Sequence, residues 1–512
     1  MLSRIISSAV RGVDAYLVDV ETNITNGLPH FSTVGLPDIA VRESKDRVEA
    51  AIKQSGFVYP YKRVTINLAP ANVRKAGSLF DLPIAVGMLS ATGQIQSDSL
   101  GEYMIIGELS LDGTLRPIRG ALPIAIAASR IGLKGILLPY ENAEEAAMAD
   151  GLEVYGLRNL TEVVQILNKE EKMAPYHLDM DHLFNHSATY PIDFRDVKGQ
   201  SHVKRAVEVA AAGSHNLLLI GPPGSGKTML ARRLPTILPD MTLPEALETT
   251  KIHSVAGLMP EEVPLVATRP FRAPHHTISD AGLIGGGSYP TPGEVSLGHN
   301  GVLFLDEMPE FKKNVLELMR QPLEDGQVTI ARVSTSLTYP ARFTLVAAMN
   351  PCPCGYFGDS QHECTCTPPQ IQRYMARVSG PLLDRIDLHI EVPSVPYKEL
   401  TDQLAGDTSE TIRNRVNETR QRQLRRFKDD THLFSNAHME SREIRQYCQV
   451  DDQGHELLRT AIAKLGLSAR AYDRILKVSR TIADMAGEGG IQAAHVSEAI
   501  QYRALDRAMW MG

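Results

Sequence analysis

Cysteine is scarce in this chain, with five in 512 residues. Long apolar runs are missing too, and none approaches the ~18 residues that a membrane-spanning helix needs. The opening stretch, "MLSRIISSAVRGVDAYLVDV", carries Arg4, Arg11 and Asp14 and alternates like a strand. It lacks the apolar core of ~7–15 residues of a signal peptide. Together these absences predict a cytoplasmic protein that makes no membrane contact. Neither sign of charge dominates: 53 Lys and Arg stand against 60 Asp and Glu, for a net charge of -7. Any contact with nucleic acid must therefore use local basic patches. No fixed-period repeat or low-complexity tract is visible, which argues against a repeat array.

What is present fits a globular protein, 43% hydrophobic and 22% charged. At roughly 150 residues per domain the length suggests about three domains. Residues 1–168 form one α/β unit: "AYLVDVETNI" and "RVTINLAP" read as strands, "SLFDLPIAVGMLSAT" and "ALPIAIAASRIG" as helices, and "KGILLP" and "LEVYGL" as short strands. Residues 169–190 have weak periodicity and read as a linker. A second α/β block covers 191–395, a basic helical connector 396–435, and a helical lid 436–512. The predicted fold class is α/β with a helical C-terminal part.

The most specific signal is "LLLIGPPGSGKTMLARRL". An apolar strand runs into Gly221, Pro222, Pro223, Gly224, Ser225, Gly226, Lys227 and Thr228, and a helix follows. This is the strand–loop–helix context of a phosphate-binding loop. Its glycines let backbone N–H groups face phosphates at a helix N-terminus. Lys227 is expected to reach the outer phosphates of ATP, and Thr228 to ligate Mg2+. "GVLFLDE" adds a buried strand ending in Asp306 and Glu307. Asp306 is expected to hold the Mg2+ shell and Glu307 to polarise the attacking water.

This order, with "TLVAAMNP" next, resembles an AAA+ ATPase. The resemblance implies that Asn350 is the sensor 1 residue, and that the segment around Val197 and Gly199 covers the adenine. "SGPLLDRIDLHI" resembles the arginine-finger segment of the branch that holds the magnesium chelatases. It implies that Arg385 reaches the ATP of a neighbouring subunit, with Arg377 as a rival, and hence a ring, a homo-hexamer. "LSARAYDRIL" resembles sensor 2, with Arg470 at the γ-phosphate.

Residues 1–168 resemble the Lon protease domain through "KAGSLFDLPIAVGMLSATGQI" and "GELSLDGTLRPIRGALPIAIAASRIGLKGILLP". Matched by register, the serine nucleophile falls on Leu79 and the lysine on Leu122, and neither leucine can do that chemistry. Ser78 lies one position off without a matched base. A scaffold or substrate-guiding role is expected instead. With "FRAPHHTIS", "GEVSLGHNGVLFLDE" and the cysteine stretch added, nearly the whole chain resembles the ComM/YifB family, often described as magnesium chelatase-like. The resemblance implies an ATP-driven DNA motor for branch migration in natural transformation, with DNA (single-stranded, duplex or branched) and recombination proteins as partners. The segment before Asn350 reads as two strands around a turn, and by the resemblance it projects into the ring pore. Arg332, Ser334, Thr335 and Ser336 are its candidate phosphate contacts. The helix at 410–428 is arginine-rich and reads either as a phosphate-binding face or as a solvated or inter-subunit helix. His275 and His276 read as a structural or ring-contact loop. A chelatase motor for metal insertion and a nucleotide-switched adaptor are the alternatives.

The cysteines return here. Cys352, Cys354, Cys364 and Cys366 sit in "CPCGYFGDSQHECTC", two C-x-C pairs in a loop rich in turn residues. In a reducing compartment such clustering favours a metal over disulfides. Four thiolates suit a structural, tetrahedral Zn2+, with His362 as an alternative to one sulfur.

Overall fold

The computed structural model describes residues 1–170, 173–180, 183–184, 190–259, 264–287, 290–332, 335–359, 361–396, 406–430, 433–465, 468–503 and 505. The chain divides into two compact units. One comprises residues 1–187 together with 247–266; the other comprises 188–246 and 267–512.

The first unit is built on a seven-stranded sheet. Its order is His30–Val34, Arg63–Ala69, Asp14–Thr25, Leu2–Arg11, Tyr103–Ile105, Gly135–Pro139, Glu153–Leu157. Leu2–Arg11 and Asp14–Thr25 pair antiparallel from Arg11 opposite Asp14, so Gly12 and Val13 make the turn. Gly12 takes φ 68°, the left-handed geometry that a two-residue hairpin loop requires. The alternation read from sequence becomes alternating burial along these strands. Helix Ile39–Gln54 starts where the Asp38 carboxylate accepts the Val41 N–H at 2.8 Å. Helix Asp81–Ala91 is buried on nearly every side, consistent with its almost uniformly apolar sequence.

The second unit holds a five-stranded sheet in the order Phe271–Arg272, Val302–Leu305, Thr344–Met349, Leu217–Ile220, Leu388–Glu391. All its pairings are parallel. Its three inner strands are buried along their whole length, which is why they read as continuous apolar runs. Their C-terminal ends carry the phosphate-loop, Asp306–Glu307 and Asn350 segments, the edge where open parallel sheets bind ligands. The helices Ser441–Tyr447, Asp452–Leu465, Ala469–Ala486 and Ala493–Gln501 form the C-terminal region. Ile475 and Ile482 of this lid share one apolar core with Leu217 and Val346 of the sheet. Among the described residues, no helix is long and apolar enough to cross a membrane.

Candidate nucleotide-binding site

Strand Leu217–Ile220 delivers the chain into the loop, and helix Lys227–Arg233 leaves it. Gly224 and Gly226 take φ 77° and 91°, a turn that only glycine enters without strain. The Lys227 ammonium donates to the carbonyls of Gly221 at 2.8 Å and Pro222 at 2.9 Å, and reaches Asn350 Oδ1 at 3.3 Å. Burial lowers its pKa, and Asp306 partly offsets that. Thr228 Oγ1 donates to Asp306 Oδ2 at 2.9 Å. Pro223 through Met229 line a cavity of about 340 Å³ with Asp306, Glu307 and Asn350. A lysine at the loop mouth and a hydroxyl–carboxylate pair suit a polyphosphate and a small, hard divalent cation. The residues thus fit ATP with Mg2+.

Glu307 follows Asp306 in a left-handed turn, φ 51°, and its N–H donates to Asp306 Oδ1 at 3.0 Å. Its exposed carboxylate lies 3.5 Å from His276 Nδ1. The His276 ring lies 4.1 Å from that of His275, tilted by 33°, and meets Phe311 edge-on. Sequence reasoning gave this histidine no part in the site. Only the pairing of Phe271–Arg272 with Val302–Leu305 brings its loop to Glu307.

Other expected site residues lie away from this cavity. Val197 is buried in the core and is not among the lining residues. Its neighbour Gln200 braces the loop instead, donating to the carbonyls of Ser225 at 3.0 Å and Pro393 at 2.7 Å. Arg470 is exposed at the start of lid helix Ala469–Ala486. One turn on, Arg474 pairs with the buried Asp387 at 2.9 Å. Asp387 also accepts the Asn216 N–H at 3.0 Å, and Asn216 Nδ2 donates to the Arg385 carbonyl at 3.0 Å. Arg385 itself is turned inward, its guanidinium on Pro381 O at 2.5 Å and on the Glu324 carboxylate. Arg377, the rival, is half exposed and pairs with Glu310 at 2.7 Å.

The cysteine loop leaves the sheet beside Asn350. Cys352 Sγ lies 3.3 Å from Cys354 and 3.7 Å from Cys364, and Cys354 lies 3.6 Å from Cys364. All four sulfurs fall within 4.8 Å of one another. Zn–S bonds of ~2.3 Å place tetrahedral sulfurs ~3.8 Å apart, so the cluster fits Zn2+. The Tyr356 backbone N–H leads the interactions that bring the Cys354 thiol down to about 5. His362 pairs instead with Asp359 at 3.2 Å. Gly355, inside this loop, sits so close to the phosphate loop that a Cβ on it would lie 2.6 Å from Pro223 Cδ.

Strands Gln327–Arg332 and Thr335–Pro340 form the expected hairpin, with Arg332 opposite Thr335. Ser336 is exposed on it; Ser334 and the side chains of Arg332 and Thr335 lie outside the described residues. The arginine-rich helix Ser409–Arg426 turns much of its charge inward. Arg415 pairs with Glu208 at 2.7 Å, Arg420 reaches Ser214 Oγ at 2.7 Å, and Arg426 reaches Asp484 Oδ2 at 2.8 Å. These contacts tie it to helix Ser201–Gly213 and to lid helix Ala469–Ala486, while Arg422 and Arg425 stay exposed. In the first unit, the Leu122 N–H donates to Glu145 at 2.8 Å, and Ser78 is bonded to Glu108.

The comparisons with known proteins agree with this arrangement. Residues 193–400 match the family model "Magnesium chelatase, subunit ChlI". Residues 20–142 match "Subunit ChlI of Mg-chelatase", and 406–503 match "Magnesium chelatase, subunit ChlI C-terminal". The chain is 45% identical to competence protein ComM of Haemophilus influenzae over 99% of this chain and 98% of that one. It is 44% identical to the uncharacterized protein YifB of Escherichia coli, again over 99% and 98%. Lon protease 2 of Bacillus subtilis is 26% identical over 31% of this chain and 30% of its own. Likeness along essentially the full length, over a parallel-sheet nucleotide site with a helical lid, makes this chain a member of the ComM/YifB family of magnesium chelatase-like proteins.

Proposed function

We propose that the chain is an ATP-driven hexameric DNA motor, acting in the cytoplasm, that moves DNA branch points during homologous recombination in natural transformation. The observation that carries this reading is the convergence of Lys227, Thr228, Asp306, Glu307 and Asn350 on one cavity. Lys227 and the loop N–H groups bind the ATP phosphates, and Thr228 and Asp306 hold Mg2+. When bound, Mg2+ screens the phosphate charge and fixes the phosphate geometry. Glu307 orients and polarises the water, Asn350 senses the γ-phosphate, and Arg470 reaches it from the lid. Arg385 of one subunit serves the ATP of the next, a contribution of roughly 10³–10⁵-fold in such enzymes. Val197 belongs to the segment that covers the adenine. The hairpin carrying Arg332, Ser334, Thr335 and Ser336 grips DNA phosphates. Cys352, Cys354, Cys364 and Cys366 hold a structural Zn2+ that shapes the loop after Asn350. The DNA role extends to this chain the competence function for which its Haemophilus relative is named.

Branch migration of a three-strand or four-way junction, with ATP, tests the proposal. Movement by the wild type and none by Glu307→Gln is the expected result. No movement, with ATP hydrolysis indifferent to DNA, overturns it. Dependence of hydrolysis on a chelatase partner protein would point to the second reading, a metal-insertion motor, which the chelatase names of the matching family models favour.

A further inference from the structure

Arg385 poses a problem for a residue that acts on a neighbouring subunit. Its side chain is only 5% exposed, and it faces its own fold. Nη2 donates to the carboxylate of Glu324, and Nη1 donates to the Pro381 carbonyl at 2.5 Å. Nε is buried with no hydrogen-bond partner among the described residues. A guanidinium settled permanently in a core has its donors satisfied, and an orphaned buried donor calls for an explanation. The backbone beneath it is fixed. Asn216 holds the Arg385 carbonyl, and Asp387, two residues on, is held by Asn216 and Arg474. Presenting Arg385 outward thus needs rotation of its side chain, not movement of its backbone.

The other half of the pair is placed differently. Glu324 is 51% exposed and lies on the short helix Arg320–Asp325. That helix runs through Gly326 straight into the hairpin strand Gln327–Arg332. The Gly326 carbonyl accepts the Ala341 N–H at 2.8 Å and closes the hairpin base two residues from Glu324. A displacement of the hairpin is therefore felt first at this acid.

We propose that Glu324 is a latch on Arg385: it holds the guanidinium inward while the hairpin is unengaged, and lets it go when DNA displaces the hairpin. Glu324 is thus a positioning residue, which ties hairpin occupancy to hydrolysis in the adjacent subunit. The inference rests on the reading of Arg385 as the arginine that serves the neighbouring ATP. A half-exposed ion pair is weak enough to be opened by a moderate displacement.

The test uses the full-length protein with single-stranded poly(dT) as the probe. Glu324→Gln and Glu324→Ala should raise kcat without DNA by roughly fivefold, the shift expected on losing such a pair. Stimulation by poly(dT) should shrink by the same factor. Affinity for a fluorescent ATP analogue should be unchanged, and Glu324→Asp, which keeps the charge, should restore the low basal rate. Arg385→Ala should abolish hydrolysis, and adding Glu324→Gln to it should change nothing further. An unchanged or lower kcat in both Glu324→Gln and Glu324→Ala, at wild-type assembly size and Tm, overturns the latch and leaves the role of Arg385 standing. Full hydrolysis by Arg385→Ala overturns both. A wild type that poly(dT) does not stimulate overturns the link to the hairpin.

Discussion

Single side chains separate binding from turnover at this site. Lys227→Ala should abolish binding of a fluorescent ATP analogue, because among the described residues lining the cavity Lys227 alone brings a cationic side chain to the loop mouth. Glu307→Gln should keep that binding and lose about 10²–10⁴-fold in kcat. His276 Nδ1, 3.5 Å from the Glu307 carboxylate, is placed to orient it. His276→Ala should lower kcat roughly tenfold with KM unchanged, the size of effect seen when a group that orients another is removed. A buried histidine sets a different limit. Burial lowers the pKa of His215, which is fully enclosed beside Asp387. It resists protonation in the fold more than in the unfolded chain, where it takes up a proton below ~6.5. The unfolded chain then binds more protons, so stability falls as pH drops from about 6.5, and His215→Gln should lessen that fall in Tm without removing it, since burial lowers the pKa of His438 and His495 as well. The motif residues were legible because strand, loop and helix specify them within a few positions. His276 and His215 were not, since their partners lie across neighbouring strands that no local pattern announces.

At the level of elements, the cysteine loop matters through what it touches. Gly355 has φ 89° and nests on Pro223, so Gly355→Ala meets both backbone strain and a clash with the phosphate loop. It should weaken nucleotide binding measurably, by roughly 1–3 kcal/mol of strain and overlap, while the protein still folds. With Zn2+ on the four thiolates as proposed, a chelator should release it to a colorimetric dye and weaken ATP-analogue binding in parallel. Loss of metal with unaltered binding would separate the loop from the site. The sequence pointed to clustered thiols but not to their contact with the phosphate loop, which depends on tertiary packing. The arginine-rich helix teaches the converse. Its composition left a phosphate-binding face and a solvated or inter-subunit helix both open, and Glu208, Ser214 and Asp484, from distant segments, take up part of its charge.

For the whole molecule, the α/β character of both units was legible from apolar alternation and apolar runs. The membership of residues 247–266 was not. Helix Leu243–Ala256 begins in the second unit and finishes in the first. Within the first unit Ser254 is bonded to Glu145, whose pKa burial raises. A fragment of residues 1–187 lacks that partner and should melt at a lower Tm than the same unit in the full chain, with partial recovery on adding a peptide of residues 247–266. An equal Tm would show that the unit is complete without it. The same helix limits how such a protein can be inherited. A gene cut at the boundary near residue 190 would carry away a unit missing one of its own pieces. Shuffling by recombination, which trades modules freely between other multidomain proteins, must here move both halves together or rebuild the seam.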